Sequence, residues 1–292
     1  VNVAGKASRQ SRAILEQRTV GSRAGALVRA WGWQLWRRSA RRPALIRCAE
    51  GSLLIAPPWS RTAGTIAATG LTEREAGLLS LDVLRPDDLF VDVGANIGFY
   101  TLLASRRGAR VEAFEPSEQA AANCERSLAL NGFAAAVHRA ACGAAPGSVR
   151  FSTGLDVHNH VLQEGGVEVP MVTLDERLEH AGAALTVLKV DAEGHDVEVL
   201  RGALAAVARL LPLVLVEIWS GGAAPFELLA PFGYRSYVYD TDLCTLEEVP
   251  VGHRQAGNML LIADARLELV RERLGEHARP TLRPPRILPY RG

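Results

Sequence analysis

Four carboxylates in this chain stand at the ends of short apolar runs. Asp92 lies in Leu89-Phe90-Val91-Asp92-Val93, Glu115 follows Val111-Glu112-Ala113-Phe114, Asp191 follows Leu188-Lys189-Val190, and Glu217 follows Val214-Leu215-Val216. Runs of this length and composition read as buried parallel strands. In an open parallel sheet, ligands bind beyond the carboxyl ends of the strands at a switch point, so the four acids are expected around one pocket. His195 follows Asp191 by four residues, and an imidazole with its ordinary pKa of about 6.5 suits a general base at neutral pH. Gly94 and Gly98 follow Asp92. The strand therefore runs into a glycine-bearing turn and a helix start, an arrangement that brings bare backbone N–H groups and a helix N-terminus up to a ligand.

The turn departs from the dinucleotide fingerprint Gly-x-Gly-x-x-Gly. Asn96 occupies the middle position, and the preceding acid, Asp92, would repel a pyrophosphate. The same acid can accept hydrogen bonds from an ammonium group. The expected ligand is a zwitterionic amino-acid part joined to a nucleoside, and S-adenosylmethionine (SAM) fits that description. Glu115 ends the second strand at the spacing where a carboxylate holds both ribose hydroxyls. A nicotinamide-dependent oxidoreductase is disfavoured by Asn96, by Asp92 and by the absence of a Tyr-x-x-x-Lys pair.

Three blocks, Val91-Asp92-Val93-Gly94-Ala95-Asn96-Ile97-Gly98, Phe114-Glu115-Pro116 and Leu188-Lys189-Val190-Asp191-Ala192-Glu193-Gly194-His195-Asp196, resemble in order and separation the signature of the FkbM-type methyltransferases. The resemblance covers roughly residues 44–265. It implies a SAM-dependent class I methyltransferase acting on a hydroxyl oxygen of a sugar or secondary metabolite. The implied fold is a doubly wound α/β, Rossmann-like sheet of seven mostly parallel strands, the last antiparallel. The implied cofactor residues are Asp92, Gly94, Ala95, Asn96, Gly98, Glu115, Pro116, Ala141 and Asp191. The family commonly reads Glu-Gly-Ala-Glu where this chain reads Glu193-Gly194-His195-Asp196, so the acid–base residue is the point of departure.

Methyl transfer from a sulfonium needs alignment of nucleophile, methyl and sulfur, and a hydroxyl nucleophile must lose its proton. The catalytic candidates are Asp191 and His195, with Asp191 as proton acceptor or as the group that orients the imidazole. Glu193 is the third, or else serves the N–H groups of its loop. Glu217, His158 and Asn159 are candidate acceptor contacts. Lys189, one of two lysines in the chain, is placed to pair with a site carboxylate. No metal is assigned. The competing route is Mg²⁺-assisted, through Asp191 and Glu217 with help from Asp156-Val157-His158-Asn159-His160. A SAM-binding protein without catalysis is the alternative of a different class.

The elements that must position these residues follow from periodicity and punctuation. Residues 44–57 read as a hairpin about Glu50-Gly51. Thr72-Glu73-Arg74-Glu75 matches a capping box and predicts a helix through Leu84. Strands are expected at 89–93, 110–114, 135–140, 185–190, 213–218, 234–239 and 258–263, with helices over 97–107, 117–131 and 196–208 between them. Short strands at 148–152 and 167–173 fall in a less regular stretch. The domain reading is a basic arm over 1–43, a methyltransferase domain over 44–265 (hairpin and helix to 84, core from 85) and a basic, proline-rich tail over 266–292.

Charge supports the division. Residues 1–47 carry eleven Arg or Lys and one acid, whereas 48–265 carry fifteen basic and twenty-eight acidic residues. An acidic body is a poor partner for nucleic acid, and a small hydroxylated molecule is expected instead. In the arm, Leu27, Trp31 and Leu35 share a helical face among arginines. The pattern suits packing on the body or on a second subunit as a homodimer. Contact with an anionic membrane is the less favoured reading. Four scattered cysteines without a Cys-x-x-Cys pair, and an N-terminus without an uninterrupted apolar run, lead to a cytoplasmic expectation.

Overall fold

A computed structural model describes residues 21–39, 42–152, 161–162, 165–218, 222–253, 257–276 and 281–290. The candidate contacts His158 and Asn159 lie outside these residues. So does the whole run Asp156–His160.

Helix α1 (Arg23–Ser39) precedes the hairpin of β1 (Ala44–Arg47) and β2 (Leu53–Ala56). The hairpin forms where the sequence places it, with Gly51 at φ 105° in the turn. Helices α2 (Arg61–Thr69) and α3 (Arg74–Val83) lead into the core. The core runs β3 (Leu89–Val93), α4 (Phe99–Arg106), β4 (Arg110–Phe114), α5 (Glu118–Asn131) and β5 (Ala136–His138). A small sheet of β6 (Ala141–Cys142), β7 (Gly147–Phe151), β8 (Val161–Leu162) and β9 (Val167–Val172) is inserted next. After α6 (Leu174–Leu178) come β10 (Thr186–Val190), α7 (Asp196–Arg201), α8 (Leu204–Leu210) and β11 (Leu213–Ile218). The chain continues through α9 (Ala224–Leu229), β12 (Tyr234–Asp240), β13 (Thr245–Glu248), β14 (Gly257–Ala263), α10 (Asp264–Gly275) and β15 (Arg286–Pro289).

The main sheet has the order β13-β12-β14-β11-β10-β3-β4-β5. Strands β5, β4, β3, β10 and β11 are parallel, and β14 runs antiparallel to both β11 and β12. The sheet is therefore mixed and eight-stranded rather than seven-stranded. The extra strand, β13, arises because Asp240 Oδ1 accepts from the N–H groups of Asp242 and Leu243 and turns the chain back on β12. Strands β3 and β10 are buried at every residue, as parallel strands covered on both faces must be. They lie side by side where the strand order reverses, which is the switch point.

Three local expectations are corrected. Thr72 does not cap α3. The N-cap residue is Glu73, in the left-handed region at φ 42° with no side-chain cap, because its carboxylate accepts from the Tyr100 hydroxyl at 2.8 Å. The helix expected over 196–208 is split at Gly202, where a Cβ would collide with the carbonyl of Gly143. Asp175 Oδ1 then accepts from Ala206 N–H at 2.7 Å and starts α8 afresh. The described residues beyond 266, 267–276 and 281–290, include segments that pack on the body. Val270 and Leu274 of α10 are buried, Arg273 is bound by Asp88, and β15 pairs with β1.

Within the arm, Arg23–Ser39 form a helix packed on α2. Its packing face is not the expected stripe. Ala26 and Trp33 are buried, whereas Trp31 and Leu35 face outward. Trp33 is seated on Gly64, whose missing Cβ would meet the indole nitrogen. Among the described residues no helix is long and apolar enough to cross a membrane.

Candidate active site

The turn between β3 and α4 is built by two close approaches. A Cβ on Gly94 would collide with the carbonyl oxygen of Asp191, and one on Gly98 with the Cys124 sulfur of α5. Asn96 takes the left-handed conformation at φ 51° that asparagine tolerates. Its own Oδ1 accepts from the next N–H, of Ile97, at 2.7 Å.

The N–H groups of this turn are not bare. Those of Gly94 and Ala95 both donate to Phe114 O, Asn96 N–H donates to Glu115, Ile97 N–H to Asn96 Oδ1, and Gly98 N–H to Ala95 O. The turn thus presents a wall and no anion cradle. This corrects the expectation of free donors, and it bears against a pyrophosphate more directly than the missing glycine does.

A cavity of about 340 Å³ opens over this turn at the carboxyl ends of β3, β4, β10 and β11. The sequence-selected residues Gly94, Ala95, Asn96, Glu115, Pro116 and Ala141 line one end of it. Asp191, Glu193, His195 and Glu217 line it as well. Asp92 and Gly98 are not on the wall. Asp92 lies fully buried beneath it, with Oδ2 accepting from the Thr101 hydroxyl at 2.7 Å and Oδ1 unpartnered.

Glu115 is buried, and its two oxygens accept from Asn96 N–H at 2.8 Å and Ser117 N–H at 2.7 Å. Burial pushes its carboxyl up to about 7, against the pull of those two N–H bonds. Each carboxylate oxygen has a further lone pair, so the group can still accept from a ligand's hydroxyls.

The other end is governed by Lys189. Its buried ammonium lies 3.0 Å from Asp191 Oδ2 and over the Tyr100 ring at 4.9 Å. Burial alone would lower this ammonium, but Asp191, Asp92 and Glu73 raise it above its ordinary value. Glu217 is half-buried, hydrogen-bonded to Asp191 and pushed up to about 8, first by burial and then by the charges of Asp191, Glu193 and Glu73. One oxygen each from Asp191, Glu193 and Glu217 lie within 4.8 Å of one another, close enough to share a cation.

The loop after β10 divides the remaining roles. Asp196 serves the loop N–H groups, accepting from Ala192 at 2.8 Å and Gly194 at 3.1 Å. His195 is the N-cap residue of α7. Its Nε2 is buried without a partner and packs beside Gly143.

Sequence reasoning missed a second wall. Trp59, Arg61, Thr62, Thr65, Thr72 and Glu73 face the cavity from the segment around α2. The Thr72–Glu75 pattern was a signal, but it matched a helix cap. Tyr100 and Phe151 also line the cavity.

Residues 92–233 match the family model described as the methyltransferase FkbM domain. The chain is 30% identical over 157 residues to the hexuronic acid methyltransferase AglP of Haloferax volcanii; the match covers 51% of this chain and 63% of that protein. Among solved structures, a methyltransferase FkbM from Methylobacillus flagellatus is 17% identical, with 82% of this chain and 60% of that chain covered and a TM-score of 0.40. The tRNA (uracil-54, C5)-methyltransferase of Pyrococcus abyssi, in complex with S-adenosyl-L-homocysteine, is 10% identical, with 75% and 44% covered and a TM-score of 0.42.

Proposed function

We propose that the protein transfers a methyl group from SAM to a hydroxyl of a small sugar-like acceptor, a reading that starts from the match of residues 92–233 to the methyltransferase FkbM domain model. The observation that carries this reading is the character of the cavity wall. Every N–H from Gly94 to Gly98 is already taken. Around the turn, the charged groups that converge on the cavity are the carboxylates Glu115, Asp191, Glu193 and Glu217 with Lys189 among them, while Arg61 stands on the second wall. Such a wall suits a cationic nucleoside and disfavours a phosphate. SAM fits it, since Glu115 offers lone pairs to a ribose and Asp191 and Glu217 offer negative charge to the amino-acid and sulfonium end. When bound, SAM supplies an activated methyl on a good leaving group.

The chain's own residues do the rest. Lys189 fixes Asp191 at 3.0 Å. Asp191 and Glu217 form the pair that receives the acceptor's proton. A carboxyl with a pKa near the working pH is an effective base, and Glu217 stands at about 8. His195, the base expected first, has its Nε2 against Gly143 and takes a supporting place in this reading. The wall of Trp59, Arg61, Thr62, Thr65 and Thr72 would face the acceptor. It offers an aromatic face, hydroxyls and a guanidinium. The Arg61 guanidinium suits an acidic sugar, in keeping with the name of the archaeal relative.

The test is isothermal titration with SAM and with NAD, then transfer of labelled methyl to a panel of neutral and acidic sugars. NAD binding without SAM binding refutes the reading. A second reading, Mg²⁺ assistance through Asp191, Glu193 and Glu217, rests on their mutual approach within 4.8 Å. Transfer that survives EDTA excludes it.

A further inference from the structure

Helix α1 is apolar on two opposite sides, and the fold uses only one. The inner side carries Ala26 and Trp33, and Arg29 pins it by donating to the carbonyl oxygens of Ala67 and Ala68 on α2. The outer side carries Val28, Trp31 and Leu35, spaced three and four residues apart and 71%, 61% and 64% exposed. Residues at that spacing share one face. Large apolar side chains lined up in water on a helix already fixed by its other side mark a contact surface.

The charge around this face selects its partner. Helix α1 contains Arg23, Arg29, Arg37 and Arg38 and no acidic residue. A second copy docking on the same face would bring two such arginine sets together, which like-charge repulsion opposes. An anionic surface attracts them. The body from residue 48 to 265 has a surplus of acids and would be repelled by that surface, which favours approach by the α1 side. We infer that the outer face of α1 docks the protein on an anionic lipid bilayer, with Val28, Trp31 and Leu35 entering the interface and the exposed Arg38 meeting headgroups. Tryptophan favours this boundary because its ring is apolar and its N–H polar. The helix beneath α1 is α2, whose Arg61, Thr62 and Thr65 line the active-site cavity. Docking therefore holds that cavity one helix layer from the bilayer.

Flotation of the full chain with vesicles tests this, using vesicles of about one-third phosphatidylglycerol against vesicles of phosphatidylcholine alone. The expected result is binding to the anionic vesicles that weakens with salt. The double variant Trp31→Gln/Leu35→Gln should bind roughly tenfold or more weaker with unchanged thermal melting, because both side chains are exposed. Arg38→Gln should weaken the preference for anionic lipid. The inference is overturned if the wild-type protein does not float with anionic vesicles or if the Trp31/Leu35 variant binds as well as the wild type. It is overturned equally if light scattering finds a dimer that this variant abolishes.

Discussion

Glu115 offers the sharpest test of the cavity's assignment. In the ligand-free protein its carboxylate already accepts from Asn96 N–H and Ser117 N–H. A bound ribose would add two hydroxyl donors. The variant Glu115→Gln keeps the size, removes the charge and leaves one oxygen where two are needed. Hydrogen bonds to a charged group contribute about 1.5–3 kcal/mol each, and neutral ones about half that. Losing the charge on the two ribose bonds should cost about 2–3 kcal/mol, which is roughly 30- to 150-fold in Kd for SAM. Titration calorimetry at pH 8, where wild-type Glu115 is ionised, reads this directly.

The pH dependence supplies an independent check. Glu115 is pushed up to about 7, so the fraction ionised falls about tenfold from pH 8 to pH 6. If the ribose needs the carboxylate, wild-type Kd weakens by about that factor over the same interval, and the Glu115→Gln variant lacks this component. Subtracting the two slopes removes any titration of the ligand itself. The sign for stability runs the same way. An acid whose folded pKa exceeds its ordinary 4.5 binds protons more tightly when folded, so ligand-free stability declines as pH rises from about 4.5 to about 7, by on the order of 3 kcal/mol. A variant that binds SAM within about threefold of wild type and keeps the wild-type pH slope would refute the ribose role. Glu115 would then be only a staple between the Asn96 turn and α5.

Three further outcomes are expected. At pH 7.5 SAM binding should release about half a proton or more, because a cation beside Glu217 (about 8) favours its ionised form. Calorimetry in buffers of different ionisation enthalpy measures this, and Glu217→Gln should remove most of the release. Lys189→Met strips the buried Asp92 and the partly exposed Asp191 of their cation and should destabilise the fold by about 3–5 kcal/mol; unchanged urea unfolding refutes that. Gly94→Ala drives a Cβ into the Asp191 carbonyl at a backbone φ of 77°. It should cost at least about 3 kcal/mol, and a stable variant with normal SAM affinity would show that the two turns do not touch.

What the sequence made legible is what depends on neighbours along the chain. Strands β3 and β10 are apolar runs with nothing to compete against that reading, and they form where expected. The spacing of Glu115 from the glycine turn is likewise local information, and Glu115 lines the cavity. The misses depend on partners far away. The donors of the Gly94–Gly98 turn are consumed by Phe114 O and Glu115, which only the pairing of β3 with β4 brings near. The break at Gly202 is imposed by the backbone of Gly143. The pattern from Thr72 to Glu75 favours a cap, but the bond from Tyr100 to Glu73 overrides it. Helix α10 was legible in principle, since Leu267, Val270 and Leu274 repeat at helical spacing. The prolines that follow obscured it.

The same distant contacts explain why the cavity should prefer a positive ligand. Around the Lys189 ammonium stand Asp92, Asp191 and Glu73, and Glu217 and Glu193 adjoin Asp191. One cation cannot balance that set in a low-dielectric interior. The surplus emerges in Asp92 and Glu217, both raised first by burial and further by the charge of Asp191. A carboxylate turn of this kind would ordinarily be relieved by backbone donors, as at a helix N-terminus. Here the donors from Gly94 to Gly98 are taken by the main chain and by Asn96 and Glu115. In the ligand-free protein bound protons relieve part of the surplus, and in the proposed complex the ligand would take their place. A sulfonium with an adjacent ammonium provides relief at the two places where the carboxyls are closest, and a pyrophosphate would worsen every one of those interactions. Choice of ligand in this cavity thus rests on the charge left unbalanced around Lys189 more than on the glycines that first draw attention to the turn.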